Sequence, residues 1–270
     1  MASSVLLRGA ALHRGGPAGV SLSRVPGPVL VEQRGATARL DELRPVRTDR
    51  GVTVATADGR VRVDLVEHLL AAIGGLGVSS GLLVAVDGEE VPLLDGGARR
   101  FVEALEQLEL PRARALRVTR EVVLEHGRSV YRFAPGAAPC LRVRIDFPPP
   151  VGQQRAAWEG DVADFVARIA PARTFGWEHE LAGLRAAGRA AAVDLASVLV
   201  FDARGPIAGC EARLADEPAR HKLLDLAGDL ALYGGPPRGV IDAFAPGHTA
   251  THAVAARALE LGVLAYDGVS

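Results

Sequence analysis

The chain has 270 residues, of which 49% are hydrophobic and 23% charged, the balance of an ordinary globular protein with one large domain or two smaller ones. A formal net charge of −1 gives no basic excess for binding nucleic acid or a membrane surface, so neither is expected as a partner. The cysteines, Cys140 and Cys210, lie far apart and predict no disulfide framework. The N-terminus reaches Arg8 without a signal-peptide core, and no apolar run of about 18 residues occurs, so we expect a cytoplasmic location.

Short strands are predicted to dominate the first third of the chain. They cover 20–23, 28–31, 52–55, 60–63 and 81–86, with a further short strand ending at 93–96. Asp58-Gly59 is a favoured hairpin turn between the third and fourth strands. Helical spacing covers 66–73 and 101–108, and the second helix stops before Pro111. We therefore predict a domain of residues 1–112 and a second domain of residues 113–270.

The second domain is predicted to follow a similar order of strands and helices. A hairpin of 115–124 and 129–133, a strand at 141–147, a helix at 161–170 and a turn at 171–176 are followed by a helix at 178–187, a strand at 197–201, a helix at 220–232, a strand at 239–244 and a final helix to 261. His68 and His221 each begin a leucine-rich helix, a faint internal likeness. The pattern predicts an α+β fold built mainly of antiparallel hairpins.

One predicted helix carries an unusual polar stripe. His221, Asp225 and Asp229 lie at i, i+4 and i+8, while leucines cover much of the remaining circumference. A divalent metal would compensate for burying such groups, and His and Asp one turn apart can reach one ion. A solvated helix face explains the same spacing. Lys222, the only lysine among 31 basic residues, lies beside His221 and hints at a lysine-specific contact.

Histidines elsewhere extend the candidate site. His68 with His221 and Asp225 gives three ligands and leaves a fourth position open, as in catalytic zinc sites. Glu67 beside His68 suits a general base, and Asp229 suits a carboxylate that orients a histidine, for which His248 is the candidate. His248 and His252, also at i, i+4, are an alternative metal pair by spacing alone. The sequence predicts no constellation for the remaining three: His13, His126 and His179.

Five ordered blocks of sequence resemble one known family. They are Val66-Glu67-His68-Leu69, the segment 90–96, Ala172-Arg173-Thr174-Phe175-Gly176, the segment 220–230 and Gly247-His248. Together they closely resemble the UDP-3-O-acyl-N-acetylglucosamine deacetylases, the zinc amidases of lipid A biosynthesis. The resemblance runs along nearly the whole chain and implies two domains of like topology, with helices packed between two sheets.

The resemblance also implies a set of site residues. Zinc would be held by His68, His221 and Asp225, although the ligand set also tolerates Fe²⁺. Glu67 matches the general base, and His248 matches the histidine that stabilises the oxyanion and protonates the leaving amine. The other implied positions are Asp229, which orients that histidine, Thr174, which helps to hold the tetrahedral intermediate, Phe175, which contacts the sugar, and Lys222, which contacts the polar head of the substrate.

The implied reaction removes acetate from UDP-3-O-(3-hydroxyacyl)-N-acetylglucosamine, the committed step of lipid A biosynthesis, and a monomer is expected. An insertion at about 176–202 would form an apolar passage for the acyl chain. The chain departs from the family at Asp64-Leu65, at Ala192-Val193-Asp194 and at Pro218. Alternatives are a deacetylase of another N-acetylated sugar or lipid, and a catalytically silent paralogue that binds nucleotide sugars.

Overall fold

A computed structural model describes residues 3–188, 190–191 and 193–267; Ala192, one of the family departures, lies outside them. The strands are β1 Ser4–Ala10, β2 Pro17–Arg24, β3 Leu30–Gln33, β4 Ala36–Arg39, β5 Arg44–Arg47, β6 Thr53–Ala55, β7 Arg62–Asp64, β8 Leu82–Asp87, β9 Leu116–Val118, β10 Val122–His126, β11 Ser129–Ala134, β12 Pro139–Asp146, β13 Gln153–Trp158, β14 Thr174–Trp177, β15 Val198–Phe201, β16 Gly239–Phe244 and β17 Leu264–Tyr266. The helices are α1 Glu67–Leu76, α2 Arg99–Glu106, α3 Val162–Asp164, α4 Glu178–Ala186, α5 Glu217–Ala231 and α6 His248–Glu260, and a π-helical turn, Phe165–Ile169, follows α3.

Two five-stranded sheets share one topology. The first has the order β1-β2-β8-β3-β4, and the second has the order β10-β11-β16-β12-β13. In each sheet the late central strand, β8 or β16, pairs antiparallel with one neighbour and parallel with the other. Alternation of apolar side chains directs one face inward, as Val20 and Leu22 of β2 show by their complete burial. The predicted α+β fold with two similar sheet-and-helix units is confirmed.

Two helices fill the space between the sheets. Helix α1 is buried along its whole length, and its Leu69 and Ile73 share an apolar space with Val31 and Val84 of the first sheet. Helix α5 packs against α1 on one side and against β12 and β13 of the second sheet on the other. The layer order is therefore sheet, α1, α5, sheet.

The domain boundary after residue 112 stays a prediction. Within the described ranges, no helix combines the length and apolarity needed to cross a bilayer.

The two helices α1 and α5 meet at glycines. A Cβ added to Gly228 would lie 2.3 Å from the carbonyl oxygen of Glu67, and a Cβ added to Gly74 would lie 2.8 Å from the carbonyl oxygen of Ala227. Neither position accepts a side chain without moving a backbone. Interior helical glycine costs about 0.5–1 kcal/mol relative to alanine, a cost that the close packing offsets. This approach sets the first turn of α1 beside α5.

A buried ion pair fastens β14 to the start of α5. Arg173 Nε donates to Glu217 Oε1 at 2.9 Å, and the two side chains are 4% and 0% exposed. The Arg173 guanidinium also donates to the carbonyl oxygens of Leu195 and Glu211. Glu217 in turn accepts the backbone N–H of Arg213 at 2.7 Å. One arginine therefore joins β14, the segment before β15 and the first turn of α5.

Two local predictions from sequence are wrong. Residues 174–176, the second half of the turn expected at 171–176, belong to β14, which pairs in parallel with β15. That partner lies more than 20 residues away, so local turn signals could not show it. The strand expected to end at 93–96 is a turn, with Leu94 at φ 55° and Gly96 at φ 84°. A Cβ on Gly96 would lie 1.6 Å from the carbonyl oxygen of Ser197, so this turn must approach another backbone.

Gly228→Ala should separate α1 from α5, because its new methyl group has no room against the carbonyl of Glu67. We expect a loss of about 1–3 kcal/mol in the free energy of unfolding, measured by denaturant titration. Gly183→Ala is the matched control, since Gly183 is a helical glycine with open space around its Cβ position. Gly183→Ala should leave the free energy of unfolding unchanged or raise it by up to about 1 kcal/mol. Equal effects of the two changes would contradict the close contact.

Glu217→Gln should leave the Arg173 guanidinium buried without a counter-charge. Breaking a buried pair in this way costs about 3–5 kcal/mol of unfolding free energy. The control is Glu260→Gln, which removes an exposed partner of Arg257 and should change stability by less than about 0.5 kcal/mol. A Glu217→Gln protein as stable as the control would show that the pair does not hold β14 on α5.

Candidate metal centre and active site

The N-termini of two helices and the body of a third bring the predicted site together. Glu67 and His68 occupy the first turn of α1, His221 and Asp225 lie on α5, and His248 begins α6. All five side chains line a single cavity of about 680 Å³ between the two halves of the chain. Leu65, two residues before the start of α1, adopts a left-handed backbone conformation at φ 59°. The sharp change of direction aims Glu67 and His68 into the cavity.

Asp64, one of the departures from the family pattern, has a structural role. Its buried carboxylate accepts a hydrogen bond from Thr53 Oγ1 at 2.7 Å, between strands β6 and β7. Arg14 and Arg47 approach the other carboxylate oxygen at 3.6 and 3.7 Å. Asp64 therefore supports the strand that leads into Leu65 and α1, and it does not line the cavity.

His68, His221 and Asp225 form a buried group in which one ligand atom from each lies within 4.8 Å of the others. His221 Nδ1 lies 3.0 Å from the carbonyl oxygen of Ala172, an acceptor that places the ring proton on Nδ1 and leaves Nε2 as a free lone pair. Nε2 lies 3.3 Å from Asp225 Oδ1. Within the described residues, Asp225 Oδ1 and His68 Nδ1 are buried without hydrogen-bond partners. Two imidazoles and a carboxylate with buried lone pairs that accept no hydrogen bond are suited to binding a divalent cation.

The ionisation of these three residues suits metal binding. Burial lowers the pKa of His68 to about 3, and the neighbouring His221 adds to the shift. Burial also lowers the pKa of His221. Burial opposes ionisation of Asp225, but the basic groups around it, His221 together with the cationic Lys222 and His248, outweigh burial and hold the pKa of that carboxyl well below its usual range. Neutral imidazoles and an ionised carboxylate are the forms that bind a metal.

Glu67 is a buried carboxyl group poised near neutral pH. Burial raises its pKa to about 7, while the charge of His248 and the N–H of Val52 moderate the shift. The Val52 N–H donates to Oε2 at 2.9 Å and fixes the carboxylate. Gly51 lies against the other oxygen, where an added Cβ would come within 3.1 Å of Oε1. A carboxyl group with this pKa can take up a proton from water at working pH.

His248 is held by a carboxylate from the neighbouring helix. Its Nδ1 lies 2.9 and 3.0 Å from the two carboxylate oxygens of Asp229. Burial alone would lower the pKa of His248, but the negative charges of Asp229 and Asp225 outweigh it and raise the pKa to about 9. Asp229 stays ionised, because its histidine neighbours overcome burial and lower its pKa to about 2. His248 is therefore cationic at neutral pH and able to donate a proton from Nε2.

The remaining predicted residues surround this centre. Thr174 and Phe175 lie on β14 and line the cavity, and the Phe175 ring stands edge-on to His221 with centroids 6.2 Å apart. Lys222 Nζ contacts Asp225 Oδ2 at 2.6 Å. The contact explains in part why a lysine lies at this position. The structure thus brings every residue of the sequence-based site to one cavity or its wall, with Asp229 behind His248.

His252 does not join His248 as a metal pair. Its Nε2 lies 3.3 Å from Asp229 Oδ1, so both histidines face the same carboxylate. The spacing of four residues places them on one side of α6, where both contact the carboxylate of Asp229 on α5.

Part of the cavity wall is not predicted from the sequence. Phe147 and Trp177 form an aromatic cluster with Phe175, with ring centroids 5.3 to 5.8 Å apart. Trp177 directly follows one of the five blocks, and that position was the available signal. His13 and His126, for which no constellation was predicted, also line the cavity. His13 lies in the turn after β1 and His126 is the last residue of β10, so the approach of both to the site depends on tertiary structure.

Comparison with known proteins identifies the family. The family model described as UDP-3-O-acyl N-acetylglycosamine deacetylase (LpxC) matches residues 1–260. The UDP-3-O-acyl-N-acetylglucosamine deacetylase of Brucella melitensis is 34% identical over 255 residues, which cover 91% of this chain and 89% of the relative. The proteins of the same name from Brucella ovis and Brucella abortus are 38% identical over 193 residues, 69% of this chain and 67% of each relative. The chain belongs to the UDP-3-O-acyl N-acetylglycosamine deacetylase family.

Proposed function

We propose that this chain is a metal-dependent deacetylase that hydrolyses the N-acetyl amide of UDP-3-O-(3-hydroxyacyl)-N-acetylglucosamine to the free amine and acetate, a step of lipid A biosynthesis. The observation that carries the proposal is the meeting of Glu67, the three-ligand group and His248 in one cavity. Membership of the deacetylase family and the names of the Brucella relatives support the same reaction.

His68, His221 and Asp225 would hold the cation, with zinc as the expected ion and Fe²⁺ as the alternative. Bound there, a divalent cation supplies Lewis-acid polarisation of the amide carbonyl and lowers the pKa of water to roughly 7. Lys222 neutralises the Asp225 oxygen that it contacts and so reduces the negative charge of the ligand set.

Two proton transfers by the chain's own residues complete the hydrolysis. The Glu67 carboxylate takes a proton from the attacking water as the new carbon–oxygen bond forms. Thr174, on the cavity wall, donates to the oxygen that becomes negative. His248 then gives its Nε2 proton to the amide nitrogen, the carbon–nitrogen bond breaks and acetate is left. Asp229 keeps His248 oriented and charged for this step.

The cavity wall supports an acylated nucleotide-sugar substrate. Phe175 offers an aromatic face to the sugar, and Lys222 offers a cation to its polar head. Apolar side chains from the insertion at about 176–202 line one side of the cavity; they are Leu181, Leu184, Val193, Val198 and Val200. Such a wall suits the 3-O-acyl chain.

A monomer, a cytoplasmic location and a domain boundary after residue 112 remain proposals that follow from the sequence.

Purified protein should release acetate from UDP-3-O-(3-hydroxymyristoyl)-N-acetylglucosamine, and a chelator should abolish the release until zinc is restored. The matched substrate without the 3-O-acyl group should react far more slowly, because the apolar wall then has no occupant. Equal rates with both substrates would move the proposal to another N-acetylated sugar, and no acetate from either would contradict it.

Glu67→Gln should lower kcat about 10²–10⁴-fold, the range expected for loss of a general base, because the amide cannot accept the proton from water. The metal content, measured by elemental analysis, should stay at that of the wild type since Glu67 is not a ligand. Glu106→Gln, an exposed change on α2, serves as the control with unchanged kcat. Undiminished turnover in Glu67→Gln would remove Glu67 from this role.

A further inference from the structure

The carboxylate of Asp229 is contacted by two histidines, and only His248 is used in the proposed reaction. His252 lies one turn later on α6 and is 5% exposed. Its Nε2 lies 3.3 Å from Asp229 Oδ1, and within the described residues this nitrogen has no other partner. The distance suits an electrostatic contact, although its angle is not that of a strong hydrogen bond. Asp229 is thus enclosed between two imidazoles.

A tyrosine defines which nitrogen of His252 faces Asp229. The Tyr233 hydroxyl lies 3.1 Å from His252 Nδ1 and 3.4 Å from the carbonyl oxygen of His252. The hydroxyl has one proton, which either Nδ1 or the carbonyl oxygen can accept. The negative Asp229 carboxylate beside Nε2 favours the ring proton on Nε2, so Nδ1 is the acceptor and takes the hydroxyl proton at the shorter of the two distances. An Nε2–H then points its positive end at the carboxylate, whereas the other tautomer would set a lone pair against negative charge. Tyr233 is half-buried just beyond the end of α5.

The contact between Asp229 and His248 is shared between two oxygens. His248 Nδ1 lies 2.9 and 3.0 Å from them, so its proton is divided between two acceptors and neither hydrogen bond is well directed. The His252 ring on the Oδ1 side gives the carboxylate a further contact that resists its displacement. Helix α6 itself is fastened independently, since Tyr131 and Thr251 hydroxyls lie 2.8 Å apart.

We propose that His252 and Tyr233 are positioning residues for His248: Tyr233 supports the Nε2–H tautomer of His252, and His252 holds the Asp229 carboxylate in the position that orients the His248 ring. The consequence for turnover rests on the proposed function, because it needs His248 to deliver a proton. The arrangement of the rings does not depend on that function.

His252→Leu should lower kcat roughly 10- to 100-fold, the range typical for loss of an outer support, with KM and metal content near those of the wild type. His252→Gln places an amide N–H where Nε2 was and should restore most of the loss. His179→Leu, which changes an exposed histidine on α4, should leave kcat unchanged. If His252→Gln is as impaired as His252→Leu, the contact with Asp229 is not what matters.

A double-variant test separates positioning from a general structural effect. If His252 acts through Asp229, adding His252→Leu to Asp229→Asn should leave kcat within about twofold of the Asp229→Asn protein alone. Losses that multiply in the double variant would show that His252 acts independently of Asp229 and would overturn the proposal.

The tautomer gives a readout without turnover. In the zinc-loaded protein, at a pH where free histidine is neutral, ¹⁵N–¹H correlation spectra of the histidine rings should show the His252 proton on Nε2. Tyr233→Phe should weaken this preference. A proton on Nδ1 alone in the wild type would overturn the proposal. If the proton is on Nε2 but no acetate is released, the ring arrangement stands and the proposed function fails.

Discussion

Contact between the backbones of α1 and α5 is the constraint on which the site depends. At Gly228 and Gly74 the helices approach so closely that a single methyl group would collide with a carbonyl oxygen. Only this separation places His68, from one sheet-and-helix unit, within ligand distance of His221 and Asp225 from the other. Under the proposed function the two similar units would contribute unlike parts: the first would supply a base and one ligand, and the second would supply two ligands and the acid.

Charge compensation explains how so many ionisable groups share one buried space. Two imidazoles, His68 and His221, are kept neutral by burial, and the Asp225 carboxylate is kept ionised by the cationic Lys222 and His248 beside it. The pKa of Glu67 is raised because burial disfavours its charged form. The pKa of His248 is raised because the Asp229 carboxylate favours its charged form more strongly than burial disfavours it. A base with a pKa of about 7 and an acid with a pKa of about 9 can then coexist in the protonation states that amide hydrolysis needs.

The sequence was sufficient to predict which residues share a helix face and which residues the ordered motifs bring to one site. The spacing of His221, Asp225 and Asp229 specified one face of α5, and the family resemblance joined that face to Glu67 and His248. Contacts that depend on distant pairing were not predictable from spacing: the parallel pairing of β14 with β15, and the aromatic cluster of Phe147 and Trp177. His252 is the clearest case, since i, i+4 spacing suits a metal pair and a shared carboxylate equally well.

X-ray absorption spectroscopy of the zinc-loaded protein tests most directly whether the two units share one ion. The account predicts a four-coordinate zinc with two imidazole ligands and oxygen in the other positions, and a spectrum with one imidazole in the His68→Ala protein. A wild-type site with fewer than two imidazoles, or a His68→Ala spectrum identical to that of the wild type, would show that α1 and α5 do not meet around a common cation.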